Sequence, residues 1–222
     1  NIPIAIFNGA HGGQPIEFFQ APENYATSTN SNYGRMYYRL NKTGLKNNVR
    51  AILWSQGEAN SFGSGLATQS YINLFNNLKA AWLNDSPNIE HFYIFQTRNC
   101  DCGTTAQGRL KIKEAQRLLA LNNPDITIMP TTGMTLHNDN CHFPFVDGYE
   151  KFATRIYPLV KRHIYGETIA STFDAPMITS AKLMSPTSLE IETDSPLQIT
   201  TTNLGILQQD YLLTNVGSAT IT

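Results

Sequence analysis

From the first residues to about residue 165, short unbroken apolar runs alternate with longer segments whose apolar residues recur at helical spacing. Ile2 to Phe7, Ala51-Ile52-Leu53-Trp54, Phe92-Tyr93-Ile94-Phe95 and Ile126-Thr127-Ile128-Met129 are the short runs. They read as strands covered on both faces, because a half-exposed strand would alternate apolar and polar residues. Between them, 35–45 carries Met36, Tyr37, Leu40 and Leu45, and 71–83 carries Ile72, Leu74, Phe75, Leu78 and Trp82. A third helix is predicted over about 110–121, and a fourth over 147–164 with Phe152, Ile156, Leu159 and Val160 facing inward. Strand and helix units of this length predict a three-layer α/β fold with a mainly parallel sheet.

After Tyr165-Gly166 the pattern changes. The stretch 171–222 is rich in Thr and Ser and alternates in short runs such as Ser188-Leu189-Glu190-Ile191-Glu192, with no helical stripe. It reads as the start of a β-sandwich-like module, with Asp174-Ala175-Pro176 as the linker. The expected organisation is an α/β domain over 1–168 and a β module over 174–222. The chain opens at Asn1 directly before an apolar run and stops at Thr222 inside a strand-like one, so both units are expected to be incomplete.

At 222 residues, with 16 Lys and Arg against 17 Asp and Glu, the chain can bury a sizeable core but has no basic patch for nucleic acid. No apolar stretch is long enough for a membrane span. A neutral small molecule or glycan is the expected partner, no cofactor is expected, and the oligomeric state is left open. Abundant Asn and Thr with few Lys and Glu favour a secreted or periplasmic protein. Cys100, Cys102 and Cys141 lie in two polar loops, which is too few for a disulfide scaffold; one bridge between the loops with an odd thiol left over is compatible with that setting, in a connectivity the sequence leaves open.

The unusual polar residues all follow strands, in 8–14, 55–65, 96–105 and 133–145. In a parallel sheet those loops share one edge, so residues distant in sequence converge there. Asp139 lies three residues before His142, a spacing that lets a carboxylate orient an imidazole base within one turn. Asn8-Gly9-Ala10-His11-Gly12-Gly13 offers backbone N–H groups to an anionic oxygen, and Gln56 offers a side-chain amide.

The segments IPIAIFNGAHGGQPIE, WSQGEAN, FYIFQTR, KEAQRLLA and DNCHFPFVDGYEKFATRI, in this order, resemble the sialate O-acetylesterase-like branch of the SGNH hydrolases, which includes carbohydrate acetylesterases. The resemblance covers about residues 1–165, and WSQGE with DxxH is its most specific part. It implies a flavodoxin-like sandwich and removal of acetyl groups from sugars by a Ser-His-Asp triad. By position it makes His142 the base, Asp139 the triad acid, Gln56 an oxyanion donor, Gly12 or Gly13 the backbone donor, and Glu58 a brace for its loop. The family's serine lies in a GQSN-like block after the first strand. No such block occurs in this chain, so the serine is expected upstream of Asn1, and with it the central strand of a 2-1-3-4-5 sheet.

Blander roles compete at each position. Ser64 and Ser218 are glycine-flanked, but neither sits on a strand-to-helix turn of the right strand. His11 reads as a solvated loop histidine and Arg98 as a salt-bridge partner or, beside the site, a contact for a substrate carboxylate. Trp54, Phe92 and Tyr93 read as core, Asn8 and Glu17 as turn and surface, and Gln116 with Arg117 as helix surface. A zinc site from His137, Asp139, Cys141 and His142, helped by Cys100 or Cys102, has unusual ligand spacing, and no metal is expected. Two functions remain: a serine acetylesterase of acetylated carbohydrate, inactive as this fragment alone, or a non-catalytic glycan-binding or structural module on the same fold.

Overall fold

The computed structural model describes residues 3–98, 100, 102–131, 134–170, 173–185 and 188–196. Its centre is a parallel sheet of β1 (Ala51–Ser55), β2 (His91–Phe95) and β3 (Ile126–Met129), in the order β1-β2-β3. Ile52 sits opposite Phe92 and Ile94 opposite Ile128, so the apolar runs read from the sequence lie side by side in register. Helices α1 (Asn32–Lys42), α2 (Thr68–Asp85), α3 (Ala106–Asn122) and α4 (Glu150–Tyr165) flank it.

The two sheet faces bury separate clusters. Trp54, Phe92, Ile94 and Ile126 pack on Tyr71, Phe75, Leu78 and Trp82 of α2 and on Ile112, Ala115 and Leu119 of α3. Tyr93, Phe95 and Met129 pack on Ile156 and Leu159 of α4, with Phe152 and Val160 at the margin. The helical stripes point where their spacing predicts. All five residues of β2 are buried, as a strand covered on both sides requires, whereas Leu53 of β1 is 55% exposed on the α4 side.

One predicted strand is missing. Residues 3–10 form no regular element, and Ile4 and Ile6 are 75% and 87% exposed. In a 2-1-3-4-5 order this run would pair with the central strand rather than with β1, and no such strand is among the described residues. The backbone here is held by side chains of α1 instead. Arg39 Nη2 donates to the Asn8 carbonyl and Asn32 Nδ2 to the Gly9 carbonyl, each at 2.8 Å.

Beyond α4, β4 (Ile178–Ser185) and β5 (Ser188–Thr193) pair antiparallel, as the alternation over 188–192 predicts. Asp174 in the preceding linker pairs with Arg162 of α4, and Arg117 Nη1 of α3 donates to the Ile178 carbonyl at 3.3 Å. The rest of the stretch expected to form a β module, Ser218 included, lies outside the described residues. Among the described residues no helix is long and apolar enough to cross a membrane.

Candidate functional site

Two loops at the carboxyl edge of the sheet carry the polar chemistry, and they are built in opposite ways. In the loop after β3, residues 137–142 fold on one carboxylate. Asp139 Oδ1 accepts the backbone N–H groups of Cys141 and His142, both at 2.9 Å, and its Oδ2 lies 2.7 Å from His142 Nδ1. The turn is closed by the Asn140 N–H on the His137 carbonyl and the His137 N–H on the His142 carbonyl, each at 2.9 Å. Asn140 takes a φ of 54°, a left-handed conformation that asparagine tolerates well. Hydrogen bonds from the His142 backbone and ring and from the Cys141 backbone hold the Asp139 carboxyl far below the usual carboxylate range. It is therefore ionised, and it fixes His142 with Nδ1 towards the acid. The side chain of His142 is 69% exposed, and no hydrogen bond occupies its Nε2 among the described residues.

The loop after β1 is buried. Gln56, 7% exposed, donates Nε2–H to Asn60 Oδ1 at 2.6 Å and to the Gln14 carbonyl at 3.2 Å, while its Oε1 accepts from the Tyr71 hydroxyl at 2.9 Å. Its carbonyl accepts from Gln116 Nε2 at 2.9 Å, and Gln116 Oε1 accepts the Thr97 N–H at 3.0 Å. Asn60 Oδ1 also accepts the Ile16 N–H at 2.8 Å, and its Nδ2 donates to Glu17 at 3.0 Å. Gly57 makes the turn possible: its φ is 148°, and a Cβ there would lie 2.4 Å from Thr97 Cγ2 and 2.7 Å from Ile112 Cγ2.

Glu58 follows, partly buried, and burial raises its carboxyl while the charges of Arg98 and His142 oppose the rise. It thus lies within electrostatic reach of the Asp139–His142 pair, on the loop the sequence assigned it to brace. Gly12 and Gly13 are exposed at the tip of the 8–14 loop, Gly13 with a φ of 71°, and the space around both is open. The His11 ring packs 5.0 Å from that of Phe18. The Gln14 carbonyl joins this loop to Gln56.

Arg98 and Gln116 differ from their expected roles. Gln116 is fully buried rather than on the helix surface. It shares the 112, 115, 119 face of α3, so its spacing signalled burial despite its polarity. Arg98 is 5% exposed and holds the His142 loop by its backbone: Nη2 donates to the Cys141 and His142 carbonyls, both at 2.8 Å. Its guanidinium carbon sits 3.8 Å from the Phe143 ring centroid, and Nε and Nη1 are buried with no hydrogen-bond partner among the described residues. That burial removes it from contact with a substrate carboxylate. Trp54, Phe92 and Tyr93 are core, Asn8 caps a turn by accepting the Ala10 N–H at 2.8 Å, and exposed Ser64 lends only its carbonyl, to Lys111 Nζ at 2.7 Å.

The bridge lies within one loop rather than between two: Cys100 pairs with Cys102, and Cys141 is free. The three sulfurs lie within 4.8 Å of one another, and neither His137 nor His142 belongs to that group.

The frame is a three-layer α/β domain whose parallel sheet carries an acid–imidazole pair at its carboxyl edge. A family profile described as carbohydrate esterase, sialic acid-specific acetylesterase matches residues 1–156, and the chain belongs to that family. Among solved structures it is similar to a carbohydrate acetylesterase from Xanthomonas citri, with 20% identity and a TM-score of 0.60, over 82% of this chain and 41% of that one. It is also similar to a protein from Arabidopsis thaliana, with 21% identity and a TM-score of 0.51, over 68% of this chain and 58% of that one. The chain therefore spans about half the length of these structures, and the likeness concerns the fold. No curated protein matches the chain by sequence.

Proposed function

We propose that this chain carries half of the active site of a secreted or periplasmic carbohydrate O-acetylesterase that works by a Ser-His-Asp mechanism, its serine supplied by sequence preceding Asn1. The observation that carries the reading is the 2.7 Å contact between Asp139 Oδ2 and His142 Nδ1, with the imidazole otherwise exposed. In the proposed reaction His142 Nε2 takes the serine proton as Oγ attacks the acetyl carbonyl, and Asp139 stabilises the imidazolium that forms. His142 then returns the proton to the departing sugar oxygen, freeing the sugar hydroxyl, and water, activated by the same imidazole, releases acetate.

A backbone N–H of Gly12 or Gly13 and the Gln56 amide are the proposed oxyanion donors. Gln56 has both its N–H groups engaged, so it serves only if the oxyanion displaces the longer bond, to the Gln14 carbonyl. Family membership and the activity for which the Xanthomonas citri neighbour is named support the substrate class.

The test uses the full-length protein and an aryl acetate. His142→Ala should abolish turnover, a loss of about 10⁴-fold or more, with the thermal midpoint unchanged because the side chain is exposed. Undiminished turnover would sink the esterase assignment.

A further inference from the structure

The esterase reading leaves the three sulfurs unused, although they meet on the same two loops that surround His142. Cys100 and Cys102 are joined across a sequence separation of 2, and the Cys141 sulfur lies within 4.8 Å of both. Cys141 is placed by its turn, its N–H on Asp139 and its carbonyl on Arg98. Cys102 and Cys141 are partly exposed while Cys100 is 6% exposed.

We propose that these cysteines form a thiol–disulfide exchange site in which Cys141 displaces Cys100 from Cys102, moving the bridge from within the post-β2 loop to a covalent tie between that loop and the His142 loop. The Cys141 thiol loses its proton, and the thiolate attacks Sγ of Cys102, the more exposed residue of the bridge. A Cys102–Cys141 bond forms, the Cys100–Cys102 bond breaks, and Cys100 leaves as a thiolate that takes up one proton. One thiol and one disulfide stand on each side of the reaction, so no oxidant or reductant enters. The leaving Cys100 is received by Thr104, whose Oγ1 lies 3.9 Å from its sulfur and can accept the new S–H.

The product bridge runs parallel to the Arg98 hydrogen bonds, so it ties segments that already lie side by side. Burial and the charges of Asp139 and Glu58 raise the Cys141 thiol, with Arg98 opposing. The thiolate fraction, and with it the exchange rate, therefore grows as the solution is made alkaline.

The experiment maps the bridge in the full-length protein after incubation at pH 7 and at pH 9, acid quench, blocking of free thiols at low pH, and non-reducing tryptic digestion. Cleavage after Arg98, Arg109, Arg117 and Lys151 places Cys100 and Cys102 in one peptide and Cys141 in another. The expected result is a cross-linked pair of these peptides in more than about a tenth of molecules, with the blocking group on Cys100, reached faster at pH 9. Label on Cys141 alone at both pH values overturns the proposal. A Cys100→Ser variant, oxidised with glutathione disulfide, should form the Cys102–Cys141 bridge quantitatively, and two free thiols in it would also overturn the proposal. Neither readout involves ester hydrolysis, so the outcome is independent of the proposed activity.

Discussion

The Gln56 loop and the Asp139–His142 loop sit at the ends of strands β1 and β3, and both are dense in hydrogen bonds, yet those bonds serve opposite ends. Around Gln56 the partners are Gln14, Asn60, Tyr71 and Gln116, drawn from four parts of the chain, and all of them are buried or half-buried. Around Asp139 the partners are its own near neighbours, and the result faces solvent. The first loop uses its Gln56 and Asn60 groups to hold α2, α3 and the 14–17 segment to the β1 end; the second leaves an imidazole nitrogen for chemistry. A polar residue in a conspicuous motif can thus be scaffold, and the sign is whether its donors are already satisfied.

The sharpest way to break this contrast is to disable the exposed loop without touching its shape. Asp139→Asn keeps the size of the side chain but removes its charge and offers His142 Nδ1 a donor or a neutral acceptor. In the full-length protein we expect kcat on an aryl acetate to fall about 10³- to 10⁴-fold, the scale of a lost triad acid elsewhere, with KM little changed. A loss under about tenfold would mean that Asp139 is only a turn former.

The same contrast explains what could be read in advance. The Asp139–His142 pair was legible because its geometry is local: three residues of spacing within a turn suffice to bring the atoms together. β1, β2, β3 and the stripes of α2 and α4 were legible for a similar reason, since burial on two faces or one imposes an unbroken or periodic run. The Gln56–Gln116 bond joins residues on different elements, and no local pattern encodes it beyond the place of Gln116 on the buried face of α3. The Arg98 clamp on the Cys141 and His142 carbonyls was equally invisible, because its acceptors are backbone atoms. The predicted strand fails over residues 3–7 because a strand is defined by its neighbour, and apolar composition does not supply one.

A second break strikes the buried loop. Gln116→Leu keeps the volume but strands the Thr97 N–H and leaves the Gln56 carbonyl only the Tyr71 hydroxyl, so we expect a loss of about 1–3 kcal/mol by denaturant unfolding, with kcat of the folded fraction nearly unchanged. Gln56→Ala, by comparison, should cost both stability and about 100-fold in kcat if the amide turns to an oxyanion. If Gln56→Ala and Gln116→Leu behave alike, the amide is scaffold only.

The third prediction concerns acid. His91 of β2 stacks on His163 of α4 with ring centroids 3.9 Å apart, and its Nε2 lies 2.8 Å from Thr127 Oγ1. Burial, then the His163 charge, push His91 from 6.5 down to about 4, with Asp125 opposing and Arg162 and Lys79 adding to the fall; burial and Arg162 lower His163 against Asp174. The unfolded chain therefore binds protons at a pH where the folded one does not. Stability is highest above pH 6.5 and falls as pH drops from there to about 4, by about 2–3 kcal/mol for His91. His91→Phe should flatten the decline in chemical denaturation between pH 7 and 4.5, and an unchanged slope would place the acid sensitivity elsewhere.

The smallest effect belongs to the exposed loop and runs the other way. Asp139 is depressed by hydrogen bonds from the Cys141 and His142 backbone and the His142 ring, so its contribution is full above pH 3.8, the ordinary value, and is lost only as pH falls through the lower folded one. Its carboxyl carbon signal in a ¹³C NMR titration should thus still report a carboxylate at pH 3, below the ordinary value. Because the group is exposed, the global unfolding free energy should barely register the change. Titration of Asp139 at the ordinary value would mean that the turn opens in solution. The 2.7 Å contact would then form only when substrate closes the loop.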